Sequence, residues 1–203
     1  MAVITISRQF GAGGRTLGEM VAQELGYSFL DDGIIQEISK KANVSENWVK
    51  SIERTAGGAL SKFISGLLSR SYIDRIIGDE KGYIDEEIYV DLLKEVLVTL
   101  AKRDNAVLMG RGGQYVLSEL EGAYHILLVA DKEDRIKFMQ QYYNMSSSRA
   151  EHVVMRGEKR RANLYQKLGR EDYNLPHLYH IILNMSKLTL KQAGKQICAL
   201  VQE

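Results

Sequence analysis

The chain has 203 residues, 45% of them hydrophobic and 26% charged, the make-up of a globular protein long enough to bury a sizeable core. Its 27 basic and 26 acidic side chains nearly cancel, to +1, which disfavours coating of a nucleic acid and leaves any phosphate chemistry to local clusters. The single Cys198 excludes an internal disulfide framework and suits a reducing, cytoplasmic setting, and no apolar run reaches the ~20 residues of a membrane span.

Val3 to Ser7 is a β-rich run that stops at a glycine cluster and reads as a buried strand; the opening residues lack the basic leader and the apolar length of a secretion signal. From Thr16 the apolar residues Leu17, Met20, Val21 and Leu25 recur at helical spacing, and Gly26 ends that helix. Tyr27 to Leu30 reads as a second strand, followed by Asp31-Asp32-Gly33. Helix resumes near Ile34, and Ser45 caps a further segment with Trp48 and Val49 on its inner face. Residues 55–83 carry Gly57-Gly58, Gly66, Gly78 and Gly82 and show no readable period; their apolar part is open to reading as a homodimer contact, a core helix or a cover over an acceptor site. Asp85 to Lys102 is an amphipathic helix with Ile88, Leu92, Leu93, Val96, Leu97 and Leu100 on one face. Ala106 to Met109 is a buried strand that runs into Gly110-Arg111-Gly112-Gly113, and Tyr124 to Val129 is another. Lys132 to Tyr143 is helical, Arg149 to Gly169 is a basic helical stretch, Tyr179 to Leu183 is a last strand, and a helix starts near Thr189. With one proline and no biased tract, the chain shows neither a flexible linker nor a repeat.

Short buried strands alternating with helices predict an α/β fold: a mostly parallel sheet with helices on both faces. Ligands bind such sheets at the carboxyl ends of the strands. Gly11–Thr16, Asp31–Asp32 and Gly110–Gly113 all fall at those ends.

Gly11-Ala12-Gly13-Gly14-Arg15-Thr16 between a strand and a helix is the layout a triphosphate needs. Glycines let backbone N–H groups converge on phosphate oxygens, the helix aims its positive end at them, and a hydroxyl at Thr16 can ligate magnesium. The pattern G-x-x-x-x-G-K-[ST] is met imperfectly: Gly14 stands at the lysine position, and Ser7-Arg8-Gln9-Phe10 precede Gly11 without a leading glycine. Arg15 either supplies the missing positive charge through its forked guanidinium or points away and leaves the backbone nest alone. A tight turn with no ligand is the alternative. A dinucleotide fingerprint fits less well: Asp31 lies where a ribose-binding acid would fall, but Thr16 occupies the third glycine position.

The opening Ile4-Thr5-Ile6-Ser7-Arg8-Gln9-Phe10-Gly11-Ala12-Gly13-Gly14-Arg15 resembles that of the bacterial cytidylate kinase-like proteins, which belong with the nucleoside monophosphate kinases and share a lysine-poor loop. The likeness runs on through Tyr27–Asp32, Val107–Arg111, Asp131–Arg135, Glu158–Arg161 and Ile181–Leu188, in the family's order over nearly the whole chain. It implies a single P-loop NTPase-type domain over 1–203, with an acceptor-binding helical insertion at about 33–88 and a helical lid at about 145–172. It further implies ATP-dependent, magnesium-assisted phosphoryl transfer to a nucleoside monophosphate of cytidylate or pyrimidine type, with Arg111 gripping the acceptor phosphate. Gly112 stands where true cytidylate kinases have Asp, and Leu30-Asp31-Asp32-Gly33 replaces their Leu-Asp-Ser-Gly.

Phosphoryl transfer needs cations and positioning rather than covalent chemistry from the protein. Arg156, Arg160 and Arg161 are the expected lid cations, with Glu158 able to orient one of them; a solvated basic face is the plainer meaning of the same run. Arg111, between glycines at a strand end, reads as a phosphate contact or as the partner of Asp31 or Asp32. Those two acids suit magnesium-bound water, the acceptor ribose, with Asp32 the nearer candidate, or helix capping equally well. His125, His152, His177 and His180 lack metal-ligand spacing and read as structural or surface residues, and Tyr142, Tyr143 and Tyr165 as packing around the lid. A nucleotide-binding regulator without turnover, and a kinase for another small acceptor, are the competing functions. Small-molecule nucleotides, rather than nucleic acid or membrane, are the expected partners.

Overall fold

The computed structural model describes residues 2–31, 94, 97–99, 101–102 and 105–202. The expected insertion at 33–88, Asp32, the Ser45 cap and most of the helix at 85–102 lie outside them; residues 97–99 and 101 are helical. The chain divides into two compact units, Met1–Asp31 with Leu97–Glu203, and Asp32–Val96.

In the first unit β1 (Val3–Arg8) is the middle strand of a five-stranded sheet ordered β2-β3-β1-β4-β5. Its neighbours are β2 (Ser28–Leu30), β3 (Ala106–Met109), β4 (Ala123–Val129) and β5 (Ile181–Asn184), and every pairing is parallel. Val3, Ile4 and Ile6 are almost fully buried, as a strand covered on both faces requires. The chain leaves β1 toward the β2 edge and returns later to build the β4 side, so the carboxyl end of β1 lies where the strand order reverses.

One face of the sheet is covered by α1 (Gly14–Leu25) and α5 (Leu190–Gln202): Leu17, Val21, Ala193 and Ile197 pack with Ile4, Ile6, Ile126 and Leu128. Gly26 ends α1 in the left-handed conformation, and Tyr27 N–H closes on Ala22 O, which satisfies a terminal carbonyl. On the other face the short helix α2 (Gly113–Val116) lies directly on β1; a Cβ at Gly113 would sit 2.9 Å from Thr5 Cγ2. Helices α3 (Lys132–Tyr143) and α4 (Ser147–Lys167) pack on each other through Met139, Ala150 and Val154, and Phe10 joins that small core. No helix among the described residues is long and apolar enough to cross a membrane.

This is the α/β architecture expected from the strand–helix alternation. Several boundaries move by one or two residues, three of them for a local reason visible in the backbone. Helix α1 starts at Gly14 rather than Thr16, because left-handed Gly13 serves as its N-cap. Helix α4 starts at Ser147, two residues before Arg149, with Ala150 N–H bonded to Ser146 O. The last strand starts at Ile181 rather than Tyr179, since Tyr179 N–H closes a 3₁₀ turn (Pro176–Leu178) on Pro176 O.

Two of the histidines meet near the start of β4. His125 is 5% exposed, and its Nδ1 lies 2.8 Å from Thr5 Oγ1, while His180 Nδ1 accepts from His125 N–H at 3.0 Å. Burial, and secondarily His180, lower the His125 pKa from 6.5 to about 4. The unfolded chain therefore takes up this proton first, so the contribution is full above pH 6.5 and is lost as pH falls toward 4. Urea unfolding should show a loss on the order of 2–3 kcal/mol across that window, and His125→Asn should flatten it; an unchanged pH slope in the variant would assign the loss elsewhere.

Candidate functional site

Backbone hydrogen bonding along β1 runs out at the glycine turn. Gln9 N–H still reaches Leu128 O across to β4, and Gln9 Oε1 takes the N–H of Ala130. Ala12 N–H then folds back on Gln9 O. Beyond it, among the described residues, no backbone carbonyl accepts from Gly13, Gly14, Arg15 or Thr16, the orphan donors of an α-helix start. Gly11 and Gly13 take φ of 88° and 81°, which a side chain would strain, and α1 has neither a side-chain cap nor an acid in its first turn. The result is a set of amide donors at the positive end of a helix, a ready acceptor of anionic oxygens. Phe138 and Leu190 wall it in: a Cβ at Gly13 would lie 3.1 and 3.3 Å from their side chains.

Arg15 takes the second of its two expected courses. Its Nε bonds Glu19 Oε1 at 3.0 Å and its Nη2 pairs with Asp31 Oδ2 at 3.1 Å, with the side chain 60% exposed. Hydrogen bonding to Glu19 is the first cause that raises its pKa, with Asp31 adding to it. The guanidinium is thus drawn along α1 and across to the end of β2. The acid Asp31 pairs with Arg15; the neighbouring Asp32 lies outside the described residues.

A different arginine grips the turn. Arg135 of α3 donates from Nη1 to Phe10 O at 3.2 Å and to Glu158 Oε1 at 3.0 Å. The same Glu158 oxygen, on α4, accepts the N–H of Phe10. Both polar groups of the Phe10 backbone are therefore engaged by this pair. Arg161 comes within 3.8 Å of the other Glu158 oxygen, donates to Asn174 Oδ1 at 2.8 Å and lies 4.8 Å over the ring of Tyr173. The side chains of Arg135 and Arg161 are each 11% exposed, and Arg135 Nε and Arg161 Nη1 make no hydrogen bond among the described residues. Arg156 is exposed on the same helix, and the side chain of Arg160 lies outside the described residues.

The third strand-end cluster has unusual backbone geometry. Arg111 has φ 58° between Gly110 at 70° and Gly112 at 72°, so three successive residues are left-handed and one bears a long side chain. A non-glycine residue held there costs on the order of 1 kcal/mol, a strain more often found at functional sites than elsewhere. Behind this turn, Ser7 Oγ donates to Gln114 Oε1 at 3.0 Å and Gln114 Nε2 donates to Tyr165 Oη at 3.1 Å, all three residues buried. Tyr165 stacks on Tyr173 at 4.3 Å, as packing around α4 predicts. Tyr115 donates to Asp172 at 2.7 Å; burial first, then this bond, raises its pKa, and burial raises that of Tyr179 to about 12. Tyr142 stacks on Phe138 but is largely exposed, unlike the packing role expected of it.

Sequence reasoning brought Gly11–Thr16 and Arg161 to this end of the sheet and missed Arg135, although Arg135 closes the Asp131–Arg135 block that carries part of the family resemblance. A single arginine near the start of a polar helix gives no sign of its target in the pattern alone.

The parallel 2-3-1-4-5 sheet, with a glycine turn opening a helix at its central strand, defines a P-loop kinase-type fold. The sequence profile of the cytidylate kinase-like family matches residues 3–187, and the chain belongs to that family. No curated protein matches the sequence. Among solved structures, the crystal structure of an uncharacterized protein from Eubacterium ventriosum ATCC 27560 is similar at TM-score 0.67 and 13% identity, over 99% of this chain and 98% of that one. Shikimate kinase from Bacteroides thetaiotaomicron is similar at TM-score 0.51 and 14% identity, over 100% and 99%.

Gly157 lies under the Phe10 ring so closely that a Cβ there would come 2.1 Å from Phe10 Cγ. Gly157→Ala should lower stability by about 1–3 kcal/mol in urea unfolding, as overpacking does, and Phe10→Leu in the same chain should recover part of it. An undisturbed midpoint in the single variant would show that α4 is not seated on Phe10 in solution.

Proposed function

We propose that the protein transfers the γ-phosphoryl group of ATP to a small acceptor, with a pyrimidine nucleoside monophosphate the acceptor class. The observation that carries this reading is the row of unpartnered amides from Gly13 to Thr16 at the carboxyl end of the central strand. A polyphosphate meets every requirement that row leaves open: negative charge, several acceptor oxygens and little bulk. Membership of the cytidylate kinase-like family supports the same chemistry.

In this reading Gly11, Ala12, Gly13, Gly14 and Arg15 present backbone donors to the β- and γ-phosphates. The described residues hold no group of three or more His, Cys, Asp or Glu suited to a metal. The half-buried hydroxyl of Thr16 fits a magnesium ion carried in with the nucleotide, which would neutralise phosphate charge there. Arg111 holds the acceptor phosphate in line, and Arg156, Arg160 and Arg161 of α4 supply lid cations as charge develops on the transferred group. Residues 33–88 form the acceptor-binding part and 145–172 the lid.

The ion pairs of Arg15 favour a second reading, a nucleotide-binding protein that does not turn over, because the side chain next to the missing lysine is committed elsewhere. The two separate in one assay. Protein with MgATP and a panel of nucleoside monophosphates, extended to shikimate and other small hydroxy acids because shikimate kinase shares the fold, should form ADP with at least one acceptor. Calorimetric ATP binding without ADP formation would select the second reading, and absence of both would reject the phosphate-site assignment. With an active acceptor in hand, Arg111→Ala should cut kcat/KM by about 10²-fold or more while leaving ATP binding unchanged; weakened ATP binding would place Arg111 on the donor side.

A further inference from the structure

We infer that Glu158 and Arg135 are positioning residues for the phosphate loop, and that they make the shape of the loop depend on the seating of helix α4. The proposal rests on the reading of Gly11–Thr16 as the donor-phosphate site.

The peptide groups on either side of Phe10 lie where the sheet ends and the glycine turn begins. Ordinarily such groups find water or a neighbouring turn. Here Phe10 N–H donates to Glu158 and Phe10 C=O accepts from Arg135, while Arg135 and Glu158 bond each other at 3.0 Å. Four groups from three segments close a ring. The glutamate comes from α4, the arginine from α3, and the peptide groups from the loop. The base of Arg135 also lies against Gly11, since a Cβ at that glycine would meet Arg135 Cβ at 3.0 Å. Each of the two peptides that flank Phe10 is therefore held by one directional bond, Gln9–Phe10 through its N–H and Phe10–Gly11 through its C=O, and the second also by packing. That peptide is one residue from the left-handed turn that aims the Gly13–Thr16 amides.

Two further features tie the ring to α4. Gly157, next to Glu158, gives the Phe10 ring room to lie on the helix backbone. Arg161, one turn on, approaches the second oxygen of Glu158 at 3.8 Å. One carboxylate thus faces two guanidinium groups beside the loop, which leaves a surplus of positive charge where the standard lysine is absent. Displacing α4 removes the acceptor of Phe10 N–H and the partner of Arg135 in one step. The loop is formed for a polyphosphate when α4 is seated and relaxed when it is not.

Hydrogen exchange without nucleotide tests this independently of catalysis. Glu158→Ala should speed exchange at the hydrogen-bonded amides of Phe10, Ala12 and Leu17 by about tenfold or more relative to Ile4 and Ile6 in β1, and Glu158→Gln, whose amide oxygen can still accept from Phe10, should restore most of the protection. MgATP affinity should follow in the same order, weakened by about tenfold in Glu158→Ala and Arg135→Lys, with the KM for the acceptor changed less than about twofold. Unchanged loop exchange in Glu158→Ala would overturn the proposal, as would a parallel loss at β1, which means general destabilisation. If the wild-type chain binds no MgATP, the donor-site reading fails, and the exchange result still decides whether Glu158 and Arg135 hold the loop.

Discussion

Backbone hydrogen bonding is the constraint around which this end of the molecule is organised. Strand β1 is paired on both sides, with Ile4 opposite Val107 and Tyr124, and Ile6 opposite Met109 and Ile126. The ladder cannot continue through Gly11 and Gly13, whose left-handed conformations turn the chain into α1. Each donor beyond the ladder then needs a separate solution. Gln9 uses β4, Phe10 uses a carboxylate, Ala12 uses the turn, and among the described residues no backbone carbonyl takes the amides from Gly13 to Thr16. The progression from sheet to side chain to open amides gives the turn its direction.

Charge follows the same geometry. A strongly basic surface is unnecessary when amide donors and a helix terminus converge at one point. In this near-neutral chain Arg135 and Arg161 gather about a single glutamate beside the turn, and Arg111 sits on a strained turn after β3. Burying arginines is costly unless they are paired and hydrogen-bonded. Glu158, Asn174 and the face of Tyr173 meet much of that requirement. Arg15 has no such housing; it sits in solvent between Glu19 and Asp31, where a surface pair contributes little.

The two faces of the sheet differ in kind. The α1/α5 face is almost wholly aliphatic and sets the frame. The α2 face carries Thr5, Ser7, Gln114 and His125, each buried with a hydrogen-bond partner. Polar groups in such a place fix orientation as well as burial, because each must keep its partner. Through Ser7, Gln114 and Tyr165 this network joins β1 and α2 to α4, which also carries Glu158. The position of α4 is thus specified at both its Glu158 turn and its carboxyl end.

Much of this was legible in the sequence because it depends on near neighbours. Strand β3 and helix α3 occupy the expected residues, and α1 with its terminal Gly26 was displaced by two residues at one end only. Periodicity, glycine punctuation and the strand–turn–helix order act over a few residues, so composition in a short window sets them. The glycine turn between β1 and α1 was readable for the same reason. The course of Arg15 was not, since two acids within reach compete with the loop for it, one on its own helix and one at the end of β2. The ring of Phe10, Arg135 and Glu158 was equally hidden: its members are 125, 148 and 23 residues apart, and tertiary packing of α3 and α4 brings them together. The sequence by itself determined which of the described elements form and where the glycine turn that opens α1 falls. The tertiary structure decided which charged side chain serves that turn, because a long flexible arginine goes wherever packing leaves it a partner.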